Sequence, residues 1–188
     1  MTQNNEHDIV IAGFGGQGVL FAGEVLANAL MEDGRCVTWY PSYGAEMRGG
    51  TVNCEIVTGG TEVSAVNKKE IDFLVALNQL SFDKFLQKVK KGGMVIANSS
   101  LVKEIRMRAD ITYIFAPITK LAAESVGSIK MANILALGLL ARASKLVSTD
   151  SLSKALENVI HTHRRNLLPL NIEALGVGYS YDLAVVGS

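Results

Sequence analysis

The sequence predicts an α/β fold: a three-layer α/β/α domain on a mostly parallel or mixed sheet, with a helical C-terminal third. Three observations carry it. A short apolar run ends in a cluster of glycines and opens at once into a helical pattern. Residues 71–77, IDFLVAL, are almost continuously apolar, as strands buried on both faces of a parallel sheet are. After residue 119 the strand patterns give way to helical spacing. All 188 residues suit one domain, with its core over about 8–160.

Residues 8–12, DIVIA, read as a strand and 13–18, GFGGQG, as the turn that ends it. Val19, Ala22, Leu26 and Leu30 fall at helical spacing in a helix over 19–31, which Asp33 and Gly34 close. Residues 35–40, RCVTWY, form the second strand of a βαβ opening, and 51–58, TVNCEIVT, the third. The ten residues between them, PSYGAEMRGG, make a glycine-rich loop, and 61–70 carry no clear pattern. A capped amphipathic helix is expected over 81–91, with Phe82, Phe85, Leu86 and Val89 on one face and Gly92 and Gly93 as its stop. Strands at 94–97 and 111–116 complete the sheet. Helices follow at about 119–126, 129–147 and 150–163, with a weaker one at 169–176.

Hydrophobic residues make up 48% of the chain and charged residues 19%, against the roughly 25% charged of an average soluble domain. Such a chain is not disordered, and its apolar excess points to burial against partner subunits. Eighteen basic residues balance 18 acidic ones, so no overall field draws it to nucleic acid or to an anionic membrane. The N-terminal MTQNNEH has no export pattern and no apolar run reaches 18 residues, so the cytoplasm is expected. Cys36 and Cys54 are the only cysteines and stand apart, too few thiolates for an iron–sulfur cluster; no metal site is expected in this chain.

Gly13, Gly15 and Gly18 satisfy G-x-G-x-x-G between a strand and a helix. Two readings stay open. The backbone amides and the positive end of the helix could receive a diphosphate, or the glycines only permit close packing. The second strand ends in Trp39 and Tyr40, then Pro41, and lacks the acid that would hold a ribose hydroxyl, which argues against NAD. In the 41–50 loop, Arg48 offers a planar fork for phosphate or carboxylate, Tyr43 a ring and a hydroxyl, and Glu46 a partner for Arg48 or a group to orient a ligand. The plainer alternative is a solvated loop with an internal ion pair.

The two stretches DIVIAGFGGQGVLFAGEVLANAL and WYPSYGAEMRGGTVNCEIV, in this order and spacing, resemble the gamma subunit of the 2-oxoacid:ferredoxin oxidoreductases, which act on pyruvate, 2-oxoglutarate or ketoisovalerate. APITKLAAESVGSIKMANILALGLL is similar to a further family pattern at Ala122, Glu124, Gly127 and Asn133. The resemblance covers roughly 8–160, and the last 28 residues carry little of it. It implies an enzyme complex that decarboxylates a 2-oxoacid with thiamine diphosphate and Mg2+, passes electrons through iron–sulfur clusters to ferredoxin and transfers the acyl group to coenzyme A. The gamma chain is then the component without clusters and without catalytic residues, inactive alone. It works with alpha, beta and, where present, delta subunits, meets ferredoxin only indirectly and forms at most a homodimer in isolation.

The same resemblance connects this domain with coenzyme A and with the interface to the thiamine-bearing subunits. It marks Gly13, Gly15, Gly16, Gln17, Gly18, Tyr43, Glu46, Arg48 and Asn133 as the residues to watch. Rival readings are a stand-alone dinucleotide-binding or regulatory module and the smaller subunit of an indolepyruvate oxidoreductase.

Other groups are better explained structurally. His161, His163, Arg164 and Arg165 suit the C-terminus of the predicted helix, with an anion contact as the alternative, and two histidines at i, i+2 do not share a helical face. Asn133 and Glu124 either cap elements or stand near the ligand. Ser99 and Ser100 lack an Asp–His partner pattern, and Trp39 suits core or interface.

Overall fold

The computed structural model describes residues 6–43, 51–60, 63, 70–183 and 185–186. The apolar runs become strands β1 (His7–Phe14), β2 (Cys36–Tyr43), β3 (Thr51–Gly59), β4 (Ile71–Ala76), β5 (Val89–Asn98), β6 (Thr112–Ala116) and β7 (Val185–Val186). They form one mixed sheet in the order β2-β3-β1-β4-β5-β6-β7. β1, β4, β5 and β6 run parallel, whereas β3 is antiparallel to both of its neighbours and β7 is antiparallel to β6.

Helices α1 (Val19–Glu32), α3 (Ile118–Ser125), α4 (Ala132–Ser144), α5 (Thr149–Val159) and α6 (Leu168–Ser180) cover one face. There Ile9, Ile11, Val75, Ile96 and Ile114 of the sheet meet Val25, Leu26, Leu135 and Leu139 in the main core. α2 (Gln79–Phe85) serves the other face, where Phe82 and Phe85 pack with Val10, Ala12, Leu74 and Val95. The alternation along β1 splits its side chains between the two cores. The expected three layers are present, with the second helical layer much the thinner.

Four features differ from the sequence expectation. β2 does not lie beside β1, because β3 is inserted between them: β2 and β3 form a hairpin, and a short connection closes antiparallel neighbours while parallel ones need a long crossover. Pro41, Ser42 and Tyr43 of the expected loop belong instead to β2, and its remaining residues, 44–50, lie outside the described residues. The expected helix over 81–91 starts earlier and stops sooner. Asn78 caps it by accepting from the Ser81 N–H at 2.9 Å, and a single 3-10 turn, Leu86–Lys88, leads directly into β5. Gly92 and Gly93 are then not a helix stop but an irregularity of β5, where Gly92 takes φ +76° and its N–H donates to the Asp110 carbonyl at 2.7 Å.

The C-terminal third also regroups. The expected helix at 129–147 is a 3-10 turn, Ile129–Met131, followed by α4, which ends at a left-handed Lys145 with φ 57°. α5 ends at Val159 and not at 163, and a 3-10 segment, Thr162–Leu167, holds the basic cluster. α6 is longer than the weak helix expected at 169–176. It lies backbone to backbone on α4: a Cβ at Gly138 would collide with the Leu175 carbonyl, and one at Gly178 with the Leu135 carbonyl. Among the described residues no helix is long and apolar enough to cross a membrane.

Candidate functional site

Backbone pairing brings both sequence motifs to one end of the sheet. Gly13 pairs with Val52 and Phe14 with Thr51, while Val52 pairs with Tyr43 on its other side. The glycine turn after β1 and the two ends of the β2–β3 hairpin therefore share the edge at which the parallel strands end. Connections leave β1 and β4 toward opposite faces, α1 on one and α2 on the other, which makes the gap between their ends a topological switch point, where α/β sheets bind ligands.

Gln17 fills that gap. Its Oε1 accepts from the Phe14 N–H at 2.6 Å and from Asn78 Nδ2 at 3.0 Å, and its Nε2 donates to the Leu77 carbonyl at 3.4 Å. The Gln17 N–H closes the turn on the Phe14 carbonyl at 3.1 Å. Asn98 continues the rim, donating to the Leu77 carbonyl at 3.1 Å and to Thr119 Oγ1 at 2.8 Å. The crevice between β1 and β4 is thus stapled shut by side-chain amides, and the exposed part of the turn is Gly15 and Gly16.

The glycines of the turn have different reasons to be there. At Gly13 an added Cβ would come within 2.7 Å of Gln17 Oε1 and 2.9 Å of Val19 Cγ2, so tight packing excludes any side chain. Gly18 has φ +69°, and a Cβ there would meet Asn133 Nδ2 at 2.5 Å. Gly15 has neither reason. It is not left-handed and a Cβ on it would meet nothing within 4 Å.

Gly18 starts α1 without any side-chain cap, so the first N–H groups of the helix, at Val19, Leu20 and Phe21, have no intrahelical acceptor. The Gly18 carbonyl accepts from the Ala22 N–H at 3.0 Å and from Asn133 Nδ2 at 3.0 Å. Asn133 does not cap α4. It sits in the first turn, 5% exposed, and its Oδ1 has no hydrogen-bond partner among the described residues. Both residues line a cleft of about 330 Å³, together with Glu24, Lys130, His161 and Arg164.

The remaining sequence candidates are scattered. Tyr43 is 70% exposed at the hairpin end, and Glu46 and Arg48 lie outside the described residues. Glu124 is not at an element start: it lies in the last turn of α3, 3.9 Å from Lys120 on the surface. Trp39 packs against the main core. Ser99 and Ser100 are tied into the rim through the Ala116 carbonyl and Asn98 Oδ1. Sequence reasoning missed Asn78, Asn98 and Lys130, whose roles depend on contacts far along the chain. An asparagine directly after an apolar run is the only local signal that Asn78 and Asn98 give, and Lys130 gives none.

The strongest electrostatic perturbation is elsewhere, near the N-terminal end of β1. Burial pushes the Asp8 carboxyl up to about 7, with the neighbouring charges of Glu55 and Asp72 adding to it. Burial also acts on Asp72, but bonds from His7, Lys90 and the Asp8 N–H outweigh it and bring that carboxyl down to about 2. Burial raises the Cys54 thiol to about 12, which leaves it an inert core group. Among the described residues no group of three or more His, Cys, Asp and Glu is placed to hold a metal ion.

Comparison with known proteins gives consistent matches. The profile of the pyruvate ferredoxin/flavodoxin oxidoreductase family matches residues 8–181, so it runs through α6, beyond the limit of 160 that the sequence motifs suggest. The 2-oxoglutarate synthase subunit KorC of Methanocaldococcus jannaschii is 34% identical over 165 residues, 86% of this chain and 88% of KorC. The ketoisovalerate oxidoreductase subunit VorA of Methanothermobacter marburgensis is 39% identical over 132 residues, 70% of this chain but only 27% of VorA. In structure, the gamma subunit of a keto/oxoacid ferredoxin oxidoreductase from Geobacter sulfurreducens superposes with a TM-score of 0.80 at 29% identity, covering 92% of this chain and 96% of that one.

Proposed function

The chain belongs to the pyruvate ferredoxin/flavodoxin oxidoreductase family, and from that premise we propose that it is the gamma subunit of a thiamine-diphosphate-dependent 2-oxoacid:ferredoxin oxidoreductase that presents coenzyme A to the thiamine-bearing subunits. It is inactive alone and works in the cytoplasm with alpha, beta and, where present, delta subunits. Those partners carry thiamine diphosphate, Mg2+ and the iron–sulfur clusters, and reach ferredoxin. The matching region of VorA is part of a longer chain, which favours a domain that acts in contact with others.

The observation that carries the coenzyme A role is Gly15: an exposed glycine with no steric or conformational reason among the described residues suits close approach by a ligand. A diphosphate fits that position, because the first turn of α1, which has no side-chain cap among the described residues, supplies N–H donors and the positive end of the helix dipole. Coenzyme A supplies the thiol that accepts the acyl group. In this reading the turn holds the diphosphate, Arg48 binds a phosphate, Glu46 holds Arg48 in place and Tyr43 lines the approach. Gln17 and Asn133 keep the turn in shape, through the Phe14 N–H and the Gly18 carbonyl.

A stand-alone dinucleotide module fits less well. No acid ends β2, and Gln17 occupies the switch-point gap across which a dinucleotide would lie. The test is purification of the tagged chain from its host without air, followed by assay of coenzyme A-dependent viologen reduction with a panel of 2-oxoacids. Co-purifying thiamine and iron–sulfur subunits with activity support the proposal and name the oxoacid; a homodimer free of them, from a host that makes them, overturns it. Within the active complex, Arg48→Ala should raise the KM for coenzyme A, and an unchanged KM removes Arg48 from the site.

A further inference from the structure

The cleft that Gly18 shares with the 3-10 segment after α5 carries chemistry that the diphosphate does not use. Lys130, His161 and Arg164 come from two separate parts of the chain, the turn before α4 and the segment after α5, and converge on one concavity of about 330 Å³. Glu24 is the one carboxylate among the described residues of its lining. In the wall stands Asn133, 5% exposed, its Nδ2 committed to the Gly18 carbonyl and its Oδ1 without a partner among the described residues.

We infer that this cleft is a phosphate-monoester subsite, in which Lys130, His161 and Arg164 hold the phosphate. Arg164 offers a planar fork and Lys130 a point charge, the two cation types that bind phosphate in complementary ways. The inference rests on the reading that the glycine turn faces coenzyme A. Gly18 belongs to both turn and cleft wall, so one ligand can span them: the diphosphate on the helix start, and the ribose 3′-phosphate in the cleft. The basic cluster is then a recognition element, where the sequence alone favoured a solvated helix end.

The test compares coenzyme A with dephospho-coenzyme A, which lacks only the 3′-phosphate, in the assembled enzyme. The wild type should favour coenzyme A at least tenfold in kcat/KM. Lys130→Ala and Arg164→Ala should each bring that ratio toward one by lowering kcat/KM with coenzyme A more than with dephospho-coenzyme A. A ratio that survives both substitutions overturns the inference, as does a wild type without preference. If either variant loses its partner subunits on purification while retaining its own fold, the cleft is a subunit interface and the inference is equally overturned. Gly15→Ala separates the underlying reading: it should impair the kinetics with both forms alike, and if it alters neither, the glycine-turn assignment itself fails.

Discussion

Asn133 donates its side-chain amide to the Gly18 carbonyl at 3.0 Å, joining the start of α4 to the start of α1 across 115 residues of chain. The bond fixes the turn that precedes α1 and leaves Asn133 Oδ1 buried without a hydrogen-bond partner among the described residues. Asn133→Ala removes one donor from a buried carbonyl that keeps its helical partner, the Ala22 N–H, so a loss of about 1–2 kcal/mol is expected. Asn133→Asp should cost more, because it sets a carboxylate oxygen against the Gly18 carbonyl. Urea unfolding of the two variants tests the order; an Asp variant as stable as the Ala one would show that the contact does not hold the turn.

Gly15 and Gly18 should answer the same substitution in opposite ways. Gly18→Ala places a Cβ on Asn133 Nδ2 at φ +69°, and should destabilise the fold by about 1–2 kcal/mol or more. Gly15→Ala has open space around it, so the melting temperature should not change. Its effect should fall on coenzyme A instead, since a misplacement of about 1 Å at a reacting ligand can cost on the order of a hundredfold. Thermal unfolding paired with coenzyme A kinetics in the assembled enzyme separates the two. A Gly15→Ala complex with wild-type kinetics would remove the turn from the ligand site.

How far the sequence reveals this arrangement depends on the range of the contacts involved. β1 and α1 are legible because their periodicity and the Gly34 stop are local. The place of β2 is not: apolar patterning says which residues pair but not which strand is inserted, and β3 separates β2 from β1. The boundary near 89 is ambiguous for a physical reason, since Val89 satisfies a helical face and a strand equally well. The Gly92 bond to the Asp110 carbonyl, which settles it, spans 18 residues. Of the site, the two motifs are readable and their meeting at one sheet edge is not.

The α4–α6 contact is a prediction that glycine spacing alone would not suggest. Gly138 and Gly178 each face a carbonyl of the opposite helix, and a methyl group at either position must push the helices apart. Gly178→Ala should therefore cost about 1–3 kcal/mol or more through overpacking, despite the better helix propensity of alanine. Gly176, two residues earlier in α6, faces open space, so Gly176→Ala should be neutral or stabilising by up to about 1 kcal/mol. Melting temperatures that fall together would show that propensity, and not the interhelical approach, controls this pair.

Asp8 and Asp72 should give the protein a dependence on pH that the ligand site does not share. The Asp8 carboxyl is raised to about 7 by burial first, then by the charges of Glu55 and Asp72 and by a side-chain hydrogen bond with Glu55. Between its ordinary value near 4 and about 7, the folded state therefore binds more protons than the unfolded one, so stability falls as pH rises through that window and levels off above it. Asp72, brought down to about 2 by its bonds with His7, Lys90 and the Asp8 N–H, acts in the opposite sense: its contribution is present above pH 4 and fades as pH falls toward 2. Lys90 forms an ion pair with Asp72, and His7 Nδ1 lies 3.5 Å from it, so the charge beside Asp8 is partly compensated. Asp8→Asn removes the titration and keeps the shape. Urea midpoints from pH 4 to 8 should decline for the wild type and decline less for the variant, which should be the more stable of the two at pH 8. Parallel profiles would mean that Asp8 enters the folded state already ionised.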